Sequence, residues 1–157
     1  MEITRLITPA EVLELAFPSN QYLPEEMILP AKIDTAQYRF LKPAFGNLYP
    51  CLAEERYETF LGQFVKPALA YYVRYLIIDD LSALPGTSGV LQTETDYAEA
   101  ASEKNMEKVK RQAKEDADVL LRFALDYVEA HTDQFPEYND AEIENKPKVC
   151  MKGGFIF

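Results

Sequence analysis

The fold is decided by residues 65–81, which read VKPALAYYVRYLIIDDL. Pro67 suits the first turn of a helix, because its missing N–H would have no helical partner there in any case. Apolar side chains then occur on nearly every side of that helix, at Leu69, Tyr72, Val73, Leu76, Ile77 and Ile78. A helix that is apolar all round belongs in a core or an interface. The sequence therefore predicts a helical bundle built around residues 65–81.

Shorter helices are predicted before this segment. Thr8 is a good N-cap, with Pro9 at the first helical position and Glu11 placed to complete a capping box. A second helix follows Pro30 with apolar spacing close to 3.6 residues, and we expect Pro43 and Gly46 to end it. Short helical turns are expected over residues 24–29 and 47–58.

The longest helix is predicted after the central one, over residues 97–130. One apolar stripe marks it, at Met106, Val109, Ala113, Ala117, Leu120, Ala124, Tyr127 and Val128. At about 1.5 Å per residue it would reach roughly 50 Å. Its lysines and glutamates between residues 103 and 116 are interpreted as a solvated face with i,i+4 pairs.

Two segments do not read as helix. Residues 84–96 contain Gly and Pro and are predicted to form a loop or a short hairpin arm. Residues 132–157 are predicted to form an acidic loop followed by an apolar, extended tail. Taken together, the chain is predicted as one all-α domain over residues 1–157, a bundle of about four to five helices without an internal repeat.

Composition excludes several classes of protein. The hydrophobic fraction of 48% predicts a real core. The net charge of −10 repels phosphate, which disfavours nucleic-acid binding, whether nonspecific or sequence-specific. No apolar run is long enough to cross a membrane. The first five residues lack the basic start and apolar core of a signal peptide, and two cysteines are too few for a disulfide framework, so the cytoplasm, or an assembly formed there, is expected.

The sequence contains no recognisable catalytic motif, and the chain is therefore predicted not to be an enzyme. His131 is the only histidine and is interpreted as a cation at a helix C-terminus. Cys51 and Cys150 show no metal-ligand spacing, and the Gly86–Gly89 turn lacks the Lys of a phosphate loop. The carboxylates between residues 133 and 144 do not match a calcium loop. No catalytic, cofactor-binding or metal-binding residue is therefore predicted.

Two features favour contact with other chains. The terminus places three large apolar residues after Gly153 and Gly154, and such groups need a surface on which to dock. The glycine-punctuated loop could pair with another chain. The plainer alternatives are docking of the terminus on its own core and a loop that only connects helices. The candidate interface residues are Val90, Leu91, Val149, Met151, Phe155, Ile156 and Phe157.

Several stretches resemble a known family. Residues 33–49 read IDTAQYRFLKPAFGNLY, residues 64–72 read FVKPALAYY, Ser88-Gly89-Val90 lies in the loop, and residues 135–138 read FPEY. Together they resemble the small head–tail connector proteins (adaptor or head-completion proteins) of tailed phages, as carried in prophages. The acidic-basic motif that opens better-known connector families is absent from this N-terminus.

The resemblance implies a structural subunit that assembles as a homo-oligomeric ring beneath the portal, through which DNA passes. Its implied partners are the portal and the tail-completion proteins, and its implied location is the host cytoplasm during assembly and then the neck of the virion. In that role the arm and the tail would be the contact elements. An acidic wall would let DNA slide, since it repels phosphates within a Debye length of about 8 Å.

Two other functions are consistent with the sequence. An acidic regulatory or DNA-mimic protein would bind a basic partner such as a nuclease or a repressor. A hydrolase that uses the carboxylates near the C-terminus would need a converging pair of acids, which nothing in the sequence singles out. Neighbouring genes discriminate between these functions, because portal, capsid and terminase genes favour the connector.

Overall fold

The computed structural model describes residues 3–17, 23–82, 99–139, 150–151 and 155–156. Four helices make up most of it: α1 (Pro9–Ala16), α2 (30–45), α3 (58–82) and α4 (Glu99–Ala130). Three 3-10 turns join them, at Glu25–Met27, Gly46–Cys51 and Glu55–Tyr57. Two short strands follow, β1 (Cys150–Met151) and β2 (Phe155–Ile156). The prediction of an all-α fold with one long helix in the C-terminal half is confirmed, and the predicted arm over residues 84–96 lies outside the described residues.

Helix α3 is the centre of the bundle, as its sequence predicts. Its buried side chains include Leu69, Tyr72, Val73, Ile77 and Ile78. Helix α4 packs along it in the antiparallel direction. Near the start of α3, Phe64 stacks on Tyr127, and further along the Tyr72 hydroxyl donates to Asp118 at 2.6 Å. These pairs fix the register of the two longest helices.

Helix α1 lies on the other side of α3 and runs parallel to it. Lys66 pairs with Glu11 at 2.7 Å near the start of both helices. Near their ends, Arg74 donates to the carbonyl of Ala16 at 2.6 Å and lies over the ring of Phe17. Arg74 therefore satisfies a carbonyl left open at the C-terminus of α1 while it lies within an apolar helix. The capping box predicted at the other end of α1, between Thr8 and Glu11, is confirmed.

The prediction that Pro43 breaks the second helix is wrong. Helix α2 comprises Pro30–Ala36, a π-helical turn at Gln37–Leu41 and a final turn at Lys42–Phe45, and it ends at Gly46, whose φ is 56°. A proline ring in a regular α-helix clashes with the carbonyl four residues before it. Here the amide of Lys42 bonds to the carbonyl of Gln37, five residues back, and this wider turn accommodates Pro43.

A π turn before a Lys-Pro pair also occurs in α3, although the sequence predicts no internal repeat. Helix α3 comprises Glu58–Phe60, a π-helical turn at Leu61–Val65 and the long segment Lys66–Ser82, with Pro67 in the place of Pro43. The amide of Lys66 likewise bonds to the carbonyl of Leu61. The two turns carry the sequences FLKPAF (40–45) and FVKPAL (64–69). The chain therefore contains a short internal repeat, which the structure reveals as a repeated π turn before a Lys-Pro pair.

The first π turn holds the one buried polar side chain in the described core, Gln37. Its carbonyl oxygen accepts from the amide of Leu6 at 2.7 Å. Its amide group donates to the carbonyl of Thr4 at 3.0 Å and to the hydroxyl of Tyr49 at 3.2 Å. One side chain thus ties residues 4–6 to the bundle, and its polar atoms are satisfied as burial requires.

We expect Gln37→Leu to lower the free energy of unfolding by about 1–3 kcal/mol, because it leaves the buried amide of Leu6 without an acceptor. Gln63 is the matched control, since it lies in the second π turn and is exposed. Gln63→Leu should change the stability by less than about 0.5 kcal/mol. Urea unfolding followed by circular dichroism measures both, and equal losses would show that Gln37 does not tether the N-terminal residues.

Candidate assembly surface

Three of the seven predicted contact residues fall within the described part of the chain: Met151, Phe155 and Ile156. In the tail, β1 and β2 pair antiparallel, with Met151 opposite Phe155 and Cys150 opposite Ile156. The extended tail expected from the sequence is therefore present as two paired strands at these four positions. The remaining predicted contact residues, Val90, Leu91, Val149 and Phe157, lie outside the described residues.

A second surface of interest lies on α2, on the outer side of its π turn. Tyr38 is 53% exposed, and Arg39 and Lys42 are exposed beside it. Lys42 donates to the hydroxyl of Tyr38 at 2.8 Å and lies 4.0 Å from the centre of its ring. A large aromatic side chain and two cations are thus presented together to solvent.

On the side of α2 that faces α3, aromatic rings pack next to Arg39, which lies 5.2 Å from the centre of the Phe40 ring. Phe40 stacks on Tyr72 with ring centres 4.1 Å apart, and the edge of Tyr75 meets Phe40 at 6.2 Å. Two lysines of α4 cover these rings: Lys110 lies 5.4 Å from Tyr75, and Lys114 lies 5.6 Å from Phe40. Cations over aromatic faces are attracted to the ring quadrupole. We call these seven residues the basic–aromatic patch: Tyr38, Arg39, Phe40, Lys42, Tyr75, Lys110 and Lys114.

One carboxylate anchors the inner margin of the patch. Asp118 accepts from the Tyr72 hydroxyl and pairs with Lys114 at 2.8 Å. Burial and the adjacent carboxylate raise the pKa of Tyr72 well above its usual range. Tyr72 therefore stays a neutral hydrogen-bond donor at any physiological pH, and it holds the stacked Phe40 ring in place.

The outer cations of the patch have no carboxylate partner among the described residues. In the part of the chain that the structure describes, neither Arg39 nor Lys42 has a carboxylate within ion-pair distance. Tyr and Arg are enriched at the centres of protein interfaces, because they combine apolar area with hydrogen-bonding capacity. The patch can therefore receive an anionic surface of another molecule.

A contrasting surface lies at the end of the bundle where α3 begins. The side chains of Glu54, Glu55, Glu58 and Asp133 are exposed there. Glu137 joins them by bonds to Arg56 and to the Tyr57 hydroxyl, which donates to it at 2.5 Å. We call the five carboxylates Glu54, Glu55, Glu58, Asp133 and Glu137 the acidic end. Arg56, which also pairs with Glu54, is the one cation bonded to these carboxylates in the described structure.

The pKa values at this end follow from its bonds. The hydrogen bond from Tyr57, followed by the Arg56 pair, lowers the pKa of Glu137 below its usual value. Burial, followed by the bond to Glu137, raises the pKa of Tyr57 to about 12. Burial, with the charges of Glu137 and Glu54 next, also raises the pKa of the Cys51 thiol. Glu137 is therefore a firmly ionised carboxylate that joins residues 131–139 to the turn at residues 54–57.

Aromatic side chains pack beneath the acidic end. Phe135 is 2% exposed and stacks on Tyr57 at 5.2 Å, with Phe60 4.8 Å away. His131 follows the last residue of α4, stacks on Tyr127 at 4.2 Å and bonds through Nδ1 to the Tyr127 carbonyl at 2.8 Å. His131 thus lies at a helix C-terminus, as expected, and its ring is occupied by that packing.

The described residues contain no group of three or more His, Cys, Asp or Glu arranged to hold a metal ion. Among the carboxylates near the C-terminus, Glu137 is bound to Arg56 and Tyr57, and Asp133 is exposed. Across the described ranges, no helix has both the length and the apolar character needed to cross a membrane.

Comparison with known proteins adds one finding. A model described as Family of unknown function (DUF6712) matches residues 34–148, which is well over half of the chain. The chain therefore belongs to this family. The match includes the basic–aromatic patch and the acidic end, while α1 and the strands β1 and β2 lie beyond it. No curated protein and no solved structure matches the chain.

Proposed function

We propose that this DUF6712 chain is a non-enzymatic structural subunit of a tailed-phage head–tail connector, which joins the portal to the tail by ring assembly. The observation that carries the proposal is the pair of strands β1 and β2 at the end of the chain. Each strand has two residues, and a hairpin of that size is not stable in water unless it packs on or pairs with something else. A neighbouring subunit supplies such a partner through strand addition.

Two further features support the proposal. The resemblance to connector proteins rests in part on residues 33–49 and 64–72, and each stretch includes the Lys-Pro pair that follows a π turn. The bundle also presents two surfaces of opposite charge, the basic–aromatic patch and the acidic end. A subunit with two different contact surfaces can join its neighbours head to tail, which is the arrangement that closes a ring.

Electron microscopy of assembled particles tests the proposal. The expected result is density for a ring of this chain at the neck, between portal and tail, as the resemblance implies. The matched control is a set of particles made without this gene, which should accumulate as filled heads without tails. Neck density that is complete in particles lacking the protein would refute the proposal. A monomer in dilute solution would not, because ring subunits can assemble on the portal alone.

The alternative function, an acidic regulator or DNA mimic, is supported by the net charge of −10 and by the acidic end. Such a protein would bind a basic nuclease or repressor, and high salt would dissociate the complex. The basic–aromatic patch argues against a uniformly DNA-like surface. A salt-sensitive complex with a basic protein, in cells where no particle contains this chain, would favour the regulator.

A further inference from the structure

The acidic end and the inner rings of the patch are separated along α3. Tyr57, at the acidic end, precedes the first residue of α3, whereas Tyr72 and Tyr75 contact Phe40 of the patch from the same helix. Fifteen to eighteen residues of helix correspond to about 22–27 Å. In the described structure, no carboxylate of the acidic end lies within ion-pair distance of Arg39 or Lys42 of the same subunit.

The distribution of charge favours another copy as the partner. Two copies, each with a net charge of −10, repel each other at long range, but salt screens that repulsion, whereas the patch and the acidic end attract each other locally. Tyr38, Arg39 and Lys42 form the exposed rim of the patch, and the two cations lack a carboxylate in the described structure. The carboxylates Glu55 and Glu58 are exposed, and no ion pair joins either of them to a described cation. Among the described residues, the patch therefore offers cations without carboxylate partners, and the acidic end offers carboxylates without cationic partners.

We infer that the basic–aromatic patch of one subunit docks on the acidic end of a second copy of this chain. The inference rests on the proposed ring and specifies its subunit contact. Because the two surfaces differ, the contact is heterologous: each copy uses its patch on one side and its acidic end on the other, and repetition leads to a ring or a filament. Arg39 and Lys42 face Glu55 and Glu58 across it, and Tyr38 supplies apolar area at its centre.

Zero-length cross-linking tests the contact directly. A carbodiimide joins a lysine amine to a carboxylate only when the two are in contact. In a concentrated mixture of unlabelled and ¹⁵N-labelled wild-type protein at physiological salt, which screens the net repulsion, we expect mixed-isotope peptides that join Lys42 to Glu55 or Glu58. Cross-links found only within one isotope, or a protein that remains monomeric at physiological salt and high concentration, would overturn the inference.

Charge-reversal variants provide a second test of the contact. Arg39→Glu with Lys42→Glu should weaken self-association about tenfold or more, because it places like charges opposite each other, and Glu55→Lys with Glu58→Lys should do the same. An equal mixture of the two double variants should recover hetero-association, measured by sedimentation velocity. The matched control is Lys104→Glu with Arg111→Glu, which makes the same charge change at exposed positions of α4 outside the patch. If the control weakens association as strongly, net charge and not the proposed contact is responsible.

The results separate this inference from the proposed function. Neck density without the Lys42 cross-links would leave the connector function standing and refute the patch-to-end contact. Mixed-isotope cross-links in a protein that is absent from particles would support the contact and refute the connector function.

Discussion

Deletion of residues 153–157 is expected to leave the helical bundle folded and to abolish the joining of heads to tails. The described hydrophobic core runs from Leu6 to Phe135, so the deletion removes none of its members. The free energy of unfolding should change by less than about 0.5 kcal/mol. It does remove β2, and with it the strand pair that the proposed function assigns to contact between subunits.

Two measurements check this expectation. Urea unfolding of the isolated protein reports whether the bundle is intact, and counts of joined particles in a complementation experiment report assembly. The control replaces Phe155, Ile156 and Phe157 with serine, which keeps the length of the chain but removes its apolar end. Full loss of joining in both variants is expected. A truncated protein that still completes particles would show that the tail is dispensable, and one that unfolds would show that the tail belongs to the core.

The helices could be predicted where local signals decide them. The capping box at Thr8 satisfies open amides of the first turn, and it marks the same start in any fold. The stretch 65–81 is apolar on nearly every side, which predicts a helix in a core or an interface, and α3 is the central helix of the bundle. By contrast, α2 ends at Gly46 as predicted but not at Pro43, because Pro43 breaks a helix only when the turn before it is a regular α turn. The π turn at Gln37–Leu41 is followed by a Lys-Pro pair, as is the π turn at Leu61–Val65, and only the structure shows that the pair continues a helix in both places.

The charged surfaces were harder to predict, because they combine distant parts of the chain. Lys110 and Lys114 were interpreted as part of a solvated face of α4, and Lys114 does form its i,i+4 pair with Asp118. The sequence could not show that Lys110 lies over a ring of α3 and Lys114 over a ring of α2. Likewise, the sequence does not distinguish Glu137 from the other acidic residues near the C-terminus. Only the fold shows that it accepts a hydrogen bond from Tyr57, 80 residues away.

Phe135→Ala is expected to give the second large effect, a loss of about 3–5 kcal/mol in the free energy of unfolding. Phe135 is 2% exposed, and its ring packs against Tyr57, Phe60 and Tyr127. Alanine would leave a cavity among three aromatic rings that cannot close over it without moving two helices and a turn. Phe123→Ala is the matched control, because Phe123 is 55% exposed and its truncation should cost little.

Phe135 also determines where the C-terminal segment leaves the bundle. With Glu137 bound to Arg56 and Tyr57, it holds residues 131–139 against the turn at residues 54–57, so the rest of the tail starts from a fixed point. Loss of the ring should therefore make this segment susceptible to limited proteolysis at denaturant concentrations where α3 and α4 remain folded. If Phe135→Ala and Phe123→Ala unfold at the same urea concentration and resist protease equally, the segment is not anchored by this ring. A tail that starts from a fixed point can reach the same place on every neighbour, which a closed ring requires.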